Sequence, residues 1–388
     1  MPEGRSPQDR PCGREALEGL MDEVFGGAVH AQRLASRTAG VDGVRHAASL
    51  GVRAIGQGWA VAPGLAPRHA ITPVDRWLSH PTRSMAQVCG GWGPFGVGER
   101  RERVVNGDWT ACAAADQCPV GLGRPTAPGR RTPLGWKTVT RSELTEPRHD
   151  HADDLLVVWA SGVPKPVRVM VVADRGVSDR TLASVLTAAW GVDDILRCRG
   201  VVSVEAAAGE RRTATEGRGT AGRRRVFRHA RVTAPRHLVP VVVGVQDQAM
   251  QAPWCLVSRR PDRTSVEITG GYGRRFTVEE TCRDVQTPRG GLGLQPAVIE
   301  RHDRRDALFR LAGLAHPWLT WLGQAGQELG MDRLLGATRP GPLSRFRQGL
   351  RRFDRMPTRR EDRRRALAKT FGARLQDHAL CTGILGVI

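Results

Sequence analysis

The stretch "VRVMVVADRG" (residues 167–176) joins a short apolar, β-branched run to an aspartate, Asp174. A run of this length and composition, followed by polar turn residues, is typical of a buried β-strand. An earlier stretch, "RVVNGDWTAC" (residues 103–112), has the same form and contains Asp108. The sequence therefore predicts two strands, each carrying a carboxylate where the strand ends.

Helical and β-rich segments alternate beyond these two strands. "SDRTLASVLTAAWGVDDILRCRG" (178–200) contains a helix-turn-helix-like pattern, but its place after a strand favours the crossover helix of an α/β sheet leading into another strand. Residues 201–266 return to β character in "VVSVEAAA", "RVFRHARV", "HLVPVVVGVQ" and "PWCLVSRR". The basic loop "GERRTATEGRGTAGRRR" (209–225) fits either a solvated loop or a phosphate contact.

The stretch "GGYGRRFTVEETCRDVQ" (270–286) holds the only tyrosine of the chain. On a helical wheel at about 100° per residue, four polar side chains fall on one narrow face: Tyr272, Arg275, Glu279 and Gln286. In a protein core, such a face would leave several polar groups without hydrogen-bond partners. It suits phosphodiester chemistry, in which a carboxylate binds a metal ion and the other side chains donate to phosphate oxygens. An ordinary solvated helix face is the alternative.

Asp108, Asp174 and Glu279 together form a set of carboxylates from three different elements. Two-metal phosphoryl transfer needs such a set, because two Mg²⁺ ions about 4 Å apart must be neutralised and held in line with the scissile bond. We therefore expect these three residues to be both the catalytic residues and the metal ligands.

Composition indicates a polyanionic partner. The chain has 388 residues and a net charge of +20, which points first to nucleic acid, although codon bias in a GC-rich genome also enriches arginine. Its eight cysteines form no C-x-x-C pair. The absence of an apolar signal region and of a 20-residue apolar stretch predicts a soluble, cytoplasmic protein without a membrane contact. A DNA partner would make it nucleoid-associated. "RHDHADD" (148–154) is interpreted as a solvated loop rather than a zinc site.

These motifs, with "DRWLSHP", "RTPLGWKTV" and "RRDALFRLAGLAHPWLTWLGQ", resemble the insertion-sequence transposases of the DDE class, in particular the IS-four group. The resemblance covers about residues 73–350. The signature of that group is tyrosine, arginine, glutamate and lysine at fixed spacing. This sequence has Tyr272, Arg275 and Glu279, with Gln286 where the lysine is expected.

The resemblance implies an RNase H-like mixed α/β sheet flanked by helices and interrupted by a β-rich insertion. It implies two Mg²⁺ ions, for which Mn²⁺ can substitute, and cut-and-paste transposition of double-stranded DNA by a homodimer in a synaptic complex. Tyr272 and Arg275 would bind phosphates near the transposon end. Trp254 would stack on a flipped base, with a buried core tryptophan as the alternative. Arg289 would partly replace the charge missing at Gln286.

The expected layout has five regions. They are an N-terminal helical DNA-binding region (1–97), the first part of the catalytic domain (98–200), the β-rich insertion (201–266), the second catalytic part (267–345) and a basic C-terminal tail (346–388). The competing interpretation is a catalytically impaired or domesticated transposase that only binds DNA. Gln286 and the biased composition leave room for it, while the intact carboxylate triad favours an active transposase.

Overall fold

A computed structural model describes the protein at residues 13–61, 64–80, 90–92, 102–110, 116–126, 129–142, 144, 148–163, 168–174, 191–218, 222–233, 236–248, 250, 252–294, 299–335 and 343–385. The fold is mixed α/β, with one open, mostly antiparallel sheet of ten strands in the described part of the chain. The helix predicted at 178–190 lies outside the described residues.

The sheet runs in the order β3-β2-β1-β4-β5-β10-β9-β8-β6-β7. The strands are β1 (Glu102–Trp109), β2 (Gln117–Pro125), β3 (Arg131–Thr140), β4 (Arg168–Ala173), β5 (Val192–Arg197), β6 (Ser203–Glu205), β7 (Arg211–Thr213), β8 (Arg224–Val232), β9 (His237–Val245) and β10 (Trp254–Ser258). Both aspartate-bearing strands predicted from the sequence are therefore present, as β1 and β4.

The central strands form the parallel part of the sheet. β1 pairs with β4 in parallel, with Gly107 opposite Ala173, and β4 pairs with β5 in parallel, with Ala173 opposite Leu196. Their apolar runs are buried on both faces, as is usual for parallel strands. Because parallel strands end at the same edge, the residues that follow Gly107 and Ala173 come out side by side.

The β-rich segment expected at 201–266 continues this same sheet. β10 pairs antiparallel with β5 through Leu256 and Arg197, and β9, β8, β6 and β7 extend the sheet beyond it. This segment has its own apolar cluster, which includes Val204, Phe227 and Val242. The pairing of β5 with β10 joins strands more than fifty residues apart, which local sequence patterns do not reveal.

Helices surround the sheet. They are α1 (Arg14–Phe25), α2 (Ala31–Ala47), α3 (Val52–Val61), α4 (Pro67–Leu78), α5 (Arg148–Ser161), α6 (Ser265–Gly273), α7 (Thr277–Gln286), α8 (His302–Glu328), α9 (Arg345–Arg355) and α10 (Glu361–Leu385). The expectation of a solvated loop at 148–154 is wrong, since that segment begins α5, whose Leu155 and Trp159 are buried. No described helix has the length and apolarity needed to cross a membrane.

One apolar cluster joins the two ends of the chain. It contains side chains of α1 to α4, such as Leu17 and Val41, together with Trp318 of α8, Phe353 of α9 and Phe371 of α10. The N-terminal helices expected to bind DNA thus bury their apolar faces against C-terminal helices. The segment predicted as a basic tail (346–388) instead supplies two packed helices, because its phenylalanines lie at core-facing positions among the arginines.

Helices α8 and α9 cross at very close range through two glycines. A Cβ atom at Gly349 would lie 1.7 Å from the Leu319 carbonyl oxygen, and one at Gly323 would lie 1.8 Å from the Arg345 carbonyl oxygen. Only residues without a side chain allow the two backbones to approach this closely. These glycines therefore fix the C-terminal helices onto α8.

The stretch expected to form one helix around 272–286 consists of three pieces. α6 ends at Gly273, a 3₁₀ turn spans Arg274–Phe276, and α7 begins at Thr277. Backbone angles through this junction stay right-handed helical. The helix is therefore wound more tightly for one turn, and the chain does not change direction there. Thr264 and Glu267 form a reciprocal capping box at the start of α6.

Candidate active site

Two carboxylates lie next to each other at one edge of the parallel strands. Asp108 is the penultimate residue of β1, and Asp174 directly follows β4. Their side chains are 20% and 25% exposed, so both reach the surface from a buried backbone. The Trp109 backbone N–H donates to Asp108 Oδ1 at 3.0 Å, which further restricts that carboxylate.

Glu279 approaches from the first turn of α7. Asn106, on β1, donates from Nδ2 to the Arg274 carbonyl oxygen at 3.4 Å and to Thr277 Oγ1 at 3.2 Å. These bonds attach the 3₁₀ turn to the strand that carries Asp108. Since Glu279 lies half a turn beyond Thr277, the strand and the helix hold its backbone near the two aspartates while its side chain remains 57% exposed.

The Arg275 guanidinium lies among all three carboxylates. Its Nη1 donates to Asp108 Oδ2 at 2.7 Å, and its Nη2 lies 3.9 Å from both Asp174 Oδ2 and Glu279 Oε1. Because those two oxygens share one nitrogen neighbour, they are separated by no more than twice that distance. The structure thus brings together Asp108, Asp174 and Glu279, the three residues that the sequence predicted to act together.

Burial controls the charge of this cluster. It raises the pKa of Asp108 above its ordinary value, although the positive charges of Arg275 and Arg131 oppose the rise. Burial by itself would lower the pKa of Arg275, but Asp108, Tyr272 and Asp174 keep that pKa above the ordinary arginine value. The guanidinium therefore stays charged, and it neutralises only part of the negative charge around it.

Two arginines and one asparagine belong to this neighbourhood but were missed in the sequence. Arg197 ends β5, next to Asp174 by strand register, and its Nη1 lies 4.0 Å from Asp174 Oδ2. Arg131 starts β3, is buried, and acts on Asp108 by its charge. Asn106 occupies a fully buried position within an apolar strand. Two signals in the sequence could have identified these residues: Asn106 is a polar residue inside an apolar strand pattern, and the two arginines are charges at strand ends.

An aromatic wall supports Arg275. Tyr272 is fully buried, and the rings of Tyr272 and Phe276 lie 5.8 Å and 5.2 Å from the Arg275 guanidinium carbon. Trp254 is partly buried, contacts Tyr272 edge-on at 4.9 Å and stacks on Phe276 at 5.8 Å. The structure thus places Tyr272 against the guanidinium that contacts the three carboxylates, and Trp254 against aromatic side chains of its own chain. Burial also raises the pKa of Tyr272, so its phenol stays protonated.

Gln286 and Arg289 lie at and beyond the end of α7, seven and ten residues after Glu279. Gln286 is half-buried and lines an open cleft of about 520 Å³ between β2, β3, α7 and α8, whose apolar wall includes Trp136 and Phe309. Thr110 and Cys282 line the same cleft, and the Thr110 hydroxyl lies 3.3 Å from the Cys282 sulfur. Arg289 is exposed in the loop after α7. The sequence did not predict this cleft, because its walls come from four elements.

The donor set suits a hard divalent cation. Three carboxylates offer only oxygen ligands, which Mg²⁺ and Mn²⁺ prefer. Within the described residues, no three acidic, histidine or cysteine side chains are arranged closely enough to hold a metal ion. The Arg275 guanidinium lies between Asp108, Asp174 and Glu279, within 4.0 Å of an oxygen of each.

No protein-family model matches the chain, and no curated protein has significant sequence similarity to it. The resemblance to DDE transposases therefore rests on the motifs of this sequence.

Proposed function

We propose that the protein is a DDE-class transposase that binds the terminal inverted repeats of its own element and catalyses metal-dependent DNA cleavage and strand transfer. One observation carries the proposal. Asp108 and Asp174, at neighbouring ends of parallel strands, and Glu279, from a helix more than a hundred residues later, surround a single guanidinium. A surface salt-bridge network does not require carboxylates from three separate elements, whereas two-metal phosphoryl transfer does.

The sheet supports an RNase H-like catalytic domain. Its first five strands lie in the order β3-β2-β1-β4-β5, with β1, β4 and β5 parallel and β2 antiparallel to β1. This is the arrangement expected for an RNase H-like sheet. The strands of residues 203–258 then extend that sheet from β5, in the position of the expected insertion.

Asp108, Asp174 and Glu279 would hold two Mg²⁺ ions, or Mn²⁺ in their place. When bound, such ions activate the attacking oxygen and stabilise the leaving oxygen of an in-line displacement. The two aspartates, fixed by the sheet, set the position of the scissile phosphate, and the more exposed Glu279 adjusts to it. Arg275 and Arg197 are the donors nearest to these carboxylates and would hold phosphate oxygens.

Double-stranded DNA is the proposed partner, with a homodimer in the synaptic complex. The net charge of +20 favours association with a polyanion. Strand β8 contributes a basic face, since Arg224, Arg228 and Arg231 are exposed along it while Phe227, Ala230 and Val232 are buried. This face lies in the same sheet as the carboxylate cluster, which suits a duplex bound along the sheet.

The test is cleavage of a DNA fragment that carries the sequences flanking the coding frame, in Mg²⁺ or Mn²⁺. Wild type should cut at the ends of the element, and Asp108→Ala, Asp174→Ala and Glu279→Ala should each lower the rate by at least about a thousandfold. Asp116→Ala is the matched control, because Asp116 is exposed and pairs only loosely with Arg141, at 3.8 Å. If wild type cuts no better than the three cluster variants, the catalytic assignment is wrong.

A second candidate is a DNA-binding protein derived from a transposase but without catalysis. Gln286 favours it, because glutamine cannot supply the charge that the signature lysine gives. Losing one charged phosphate contact costs about 1–3 kcal/mol of binding. Specific binding of the flanking DNA, measured by gel shift, without any cleavage in either metal would support this candidate over the first.

A further inference from the structure

Arg275 occupies the place among the carboxylates that a cation is expected to take. Its Nη atoms lie 2.7 to 3.9 Å from oxygens of Asp108, Asp174 and Glu279, its guanidinium carbon lies over the Tyr272 and Phe276 rings, and the residue is only 7% exposed. Three negative charges therefore meet a buried positive charge, while the carboxylates themselves still reach solvent. In such a site, charges a few ångströms apart interact much more strongly than at the surface.

The three contacts of Arg275 are unequal. The bond to Asp108 is short and direct, while Asp174 and Glu279 remain 3.9 Å away and keep more contact with solvent. A guanidinium holds its five N–H donors in one rigid plane, so it bonds well only to carboxylates that lie in that plane. A metal ion, which is small and accepts ligands from several directions, would satisfy the same oxygens better. The cluster is therefore held together by Arg275 but not saturated by it.

We propose that Arg275 is the resident counter-ion of this cluster, and that a divalent cation and the Arg275 guanidinium compete for the same three carboxylates. The choice of a divalent cation rests on the proposed function. Without metal, Arg275 keeps Asp108, Asp174 and Glu279 from repelling one another. When the cation arrives, the guanidinium is released from the carboxylates and becomes free to bind a phosphate.

This proposal differs from a purely structural role in the sign of one measurable effect. If Arg275 only supports the fold, its removal disorders the carboxylates and weakens metal binding. If it competes with the metal, its removal leaves three uncompensated carboxylates and strengthens metal binding. The removed positive charge would lie about 4 Å from a cation bound by these carboxylates, in a partly buried site. Its loss should lower the dissociation constant for the metal ion roughly tenfold to a hundredfold.

The experiment is a titration of the full chain with Mn²⁺, with the free ion followed by electron paramagnetic resonance. Arg275→Gln should bind Mn²⁺ at least about tenfold more tightly than wild type. Arg274→Gln is the matched control, because Arg274 is the exposed neighbour in the same 3₁₀ turn and should change binding by less than about twofold. Asp108→Asn, which removes a ligand, should weaken binding.

Thermal unfolding of the same variants gives a second readout that does not depend on activity. Arg275→Gln should melt below wild type without metal, because its carboxylates repel one another, and it should gain more stability from Mn²⁺ than wild type does. If Arg275→Gln does not fold, Arg275→Lys replaces it. The compact ammonium contacts fewer of the carboxylates, so Mn²⁺ binding should still exceed that of wild type by about threefold.

Unchanged or weaker Mn²⁺ binding in both Arg275 variants overturns the proposal, and so does the absence of Mn²⁺ binding by both wild type and Arg275→Gln at millimolar concentration. The two proposals can fail separately. Tighter binding in Arg275→Gln without any DNA cleavage by wild type would keep the counter-ion role and reject the transposase. Cleavage by wild type together with unchanged metal binding in Arg275→Gln would do the reverse.

Discussion

Replacing Asp284 with asparagine, which breaks the Arg130–Asp284 ion pair, should destabilise the protein far more than breaking the Arg283–Glu280 pair on the same helix. The two ion pairs have nearly the same length. Asp284 lies on α7, and its Oδ2 accepts from Arg130 Nε at 2.6 Å. Arg283, the preceding residue, donates from Nη1 to Glu280 Oε1 at 2.7 Å. Distance alone would give these two pairs equal value, so burial must decide between them.

The exposure of the side chains differs greatly. The Asp284 side chain is 2% exposed and that of Arg130 is 13% exposed, whereas Arg283 and Glu280 are 60% and 37% exposed. Removing one member of a buried pair costs about 3–5 kcal/mol, while an exposed pair contributes about 1 kcal/mol at most. Because Arg130 also approaches Glu280 at 3.4 Å, its charge stays partly compensated. We therefore expect Asp284→Asn to cost about 2–3 kcal/mol.

Acid should remove this difference. Burial would raise the pKa of Asp284, but hydrogen bonds and charge from His316 and Arg130 outweigh it and hold that pKa below the ordinary value. A carboxyl with a depressed folded pKa stabilises the protein above its unfolded pKa, about 3.9, and that contribution is lost as the pH falls through the folded pKa. The gap between wild type and Asp284→Asn should therefore be constant from pH 7 to 5 and shrink below about pH 4.

Urea unfolding followed by tryptophan fluorescence measures both effects. At pH 7 the free energy of unfolding of Asp284→Asn should fall by about 2–3 kcal/mol, and that of the control Arg283→Gln by about 0.5 kcal/mol. If the two variants lose the same stability, burial does not set the value of these pairs. A gap for Asp284→Asn that persists at pH 3 would show that its cost is not electrostatic.

Three further changes test other parts of the structure. Burial raises the pKa of Asp306 to about 6, so its contribution to stability is full below about pH 4 and lost as the pH rises through 6. Asp306→Asn should therefore be more stable than wild type at pH 7.5, by at most about 3 kcal/mol in urea unfolding, and equal to it near pH 4. Cys282 lines the open cleft whereas Cys118 is buried, so iodoacetamide should alkylate Cys282 before Cys118 in the native protein, as peptide mass spectrometry would detect. Gly349→Ala should cost more than about 3 kcal/mol of stability or prevent folding, because the new Cβ meets the backbone of α8. Gly372→Ala is the control, because its Cβ would lie in open space, and it should stabilise α10 by up to about 1 kcal/mol in thermal unfolding.

The sequence predicts the strands of this fold well where its signal is local. β1 and β4 were expected from apolar runs that precede Asp108 and Asp174, and both lie where the runs are. The start of α5 was missed, because a polar "RHDHADD" segment has no apolar period in its first turn. Burial of that helix depends on residues such as Trp159, which follow later.

Long-range packing could not be predicted from local patterns. The packing of α1 to α4 against α8, α9 and α10 brings together residues about 300 positions apart. Nothing in the basic C-terminal sequence indicates that it packs against the N-terminal helices. The candidate site shows the same limit. A helical wheel placed Arg275 beside Glu279, but the break at Arg274–Phe276 and the position of β1 determine that its guanidinium contacts Asp108 first.

The position of Glu279 connects the Asp284 pair with the proposed exchange at Arg275. Before Glu279, Asn106 attaches the 3₁₀ turn to β1, and after it Asp284 attaches α7 to Arg130, the residue directly before β3. Glu279 therefore stands on backbone that is held on both sides, while its carboxylate is the most exposed of the three. A ligand that must release a guanidinium and accept an arriving cation needs a free side chain on a fixed backbone. Loosening the Asp284 attachment should therefore weaken Mn²⁺ binding without touching any of the three carboxylates, whereas loss of Arg275 should strengthen it.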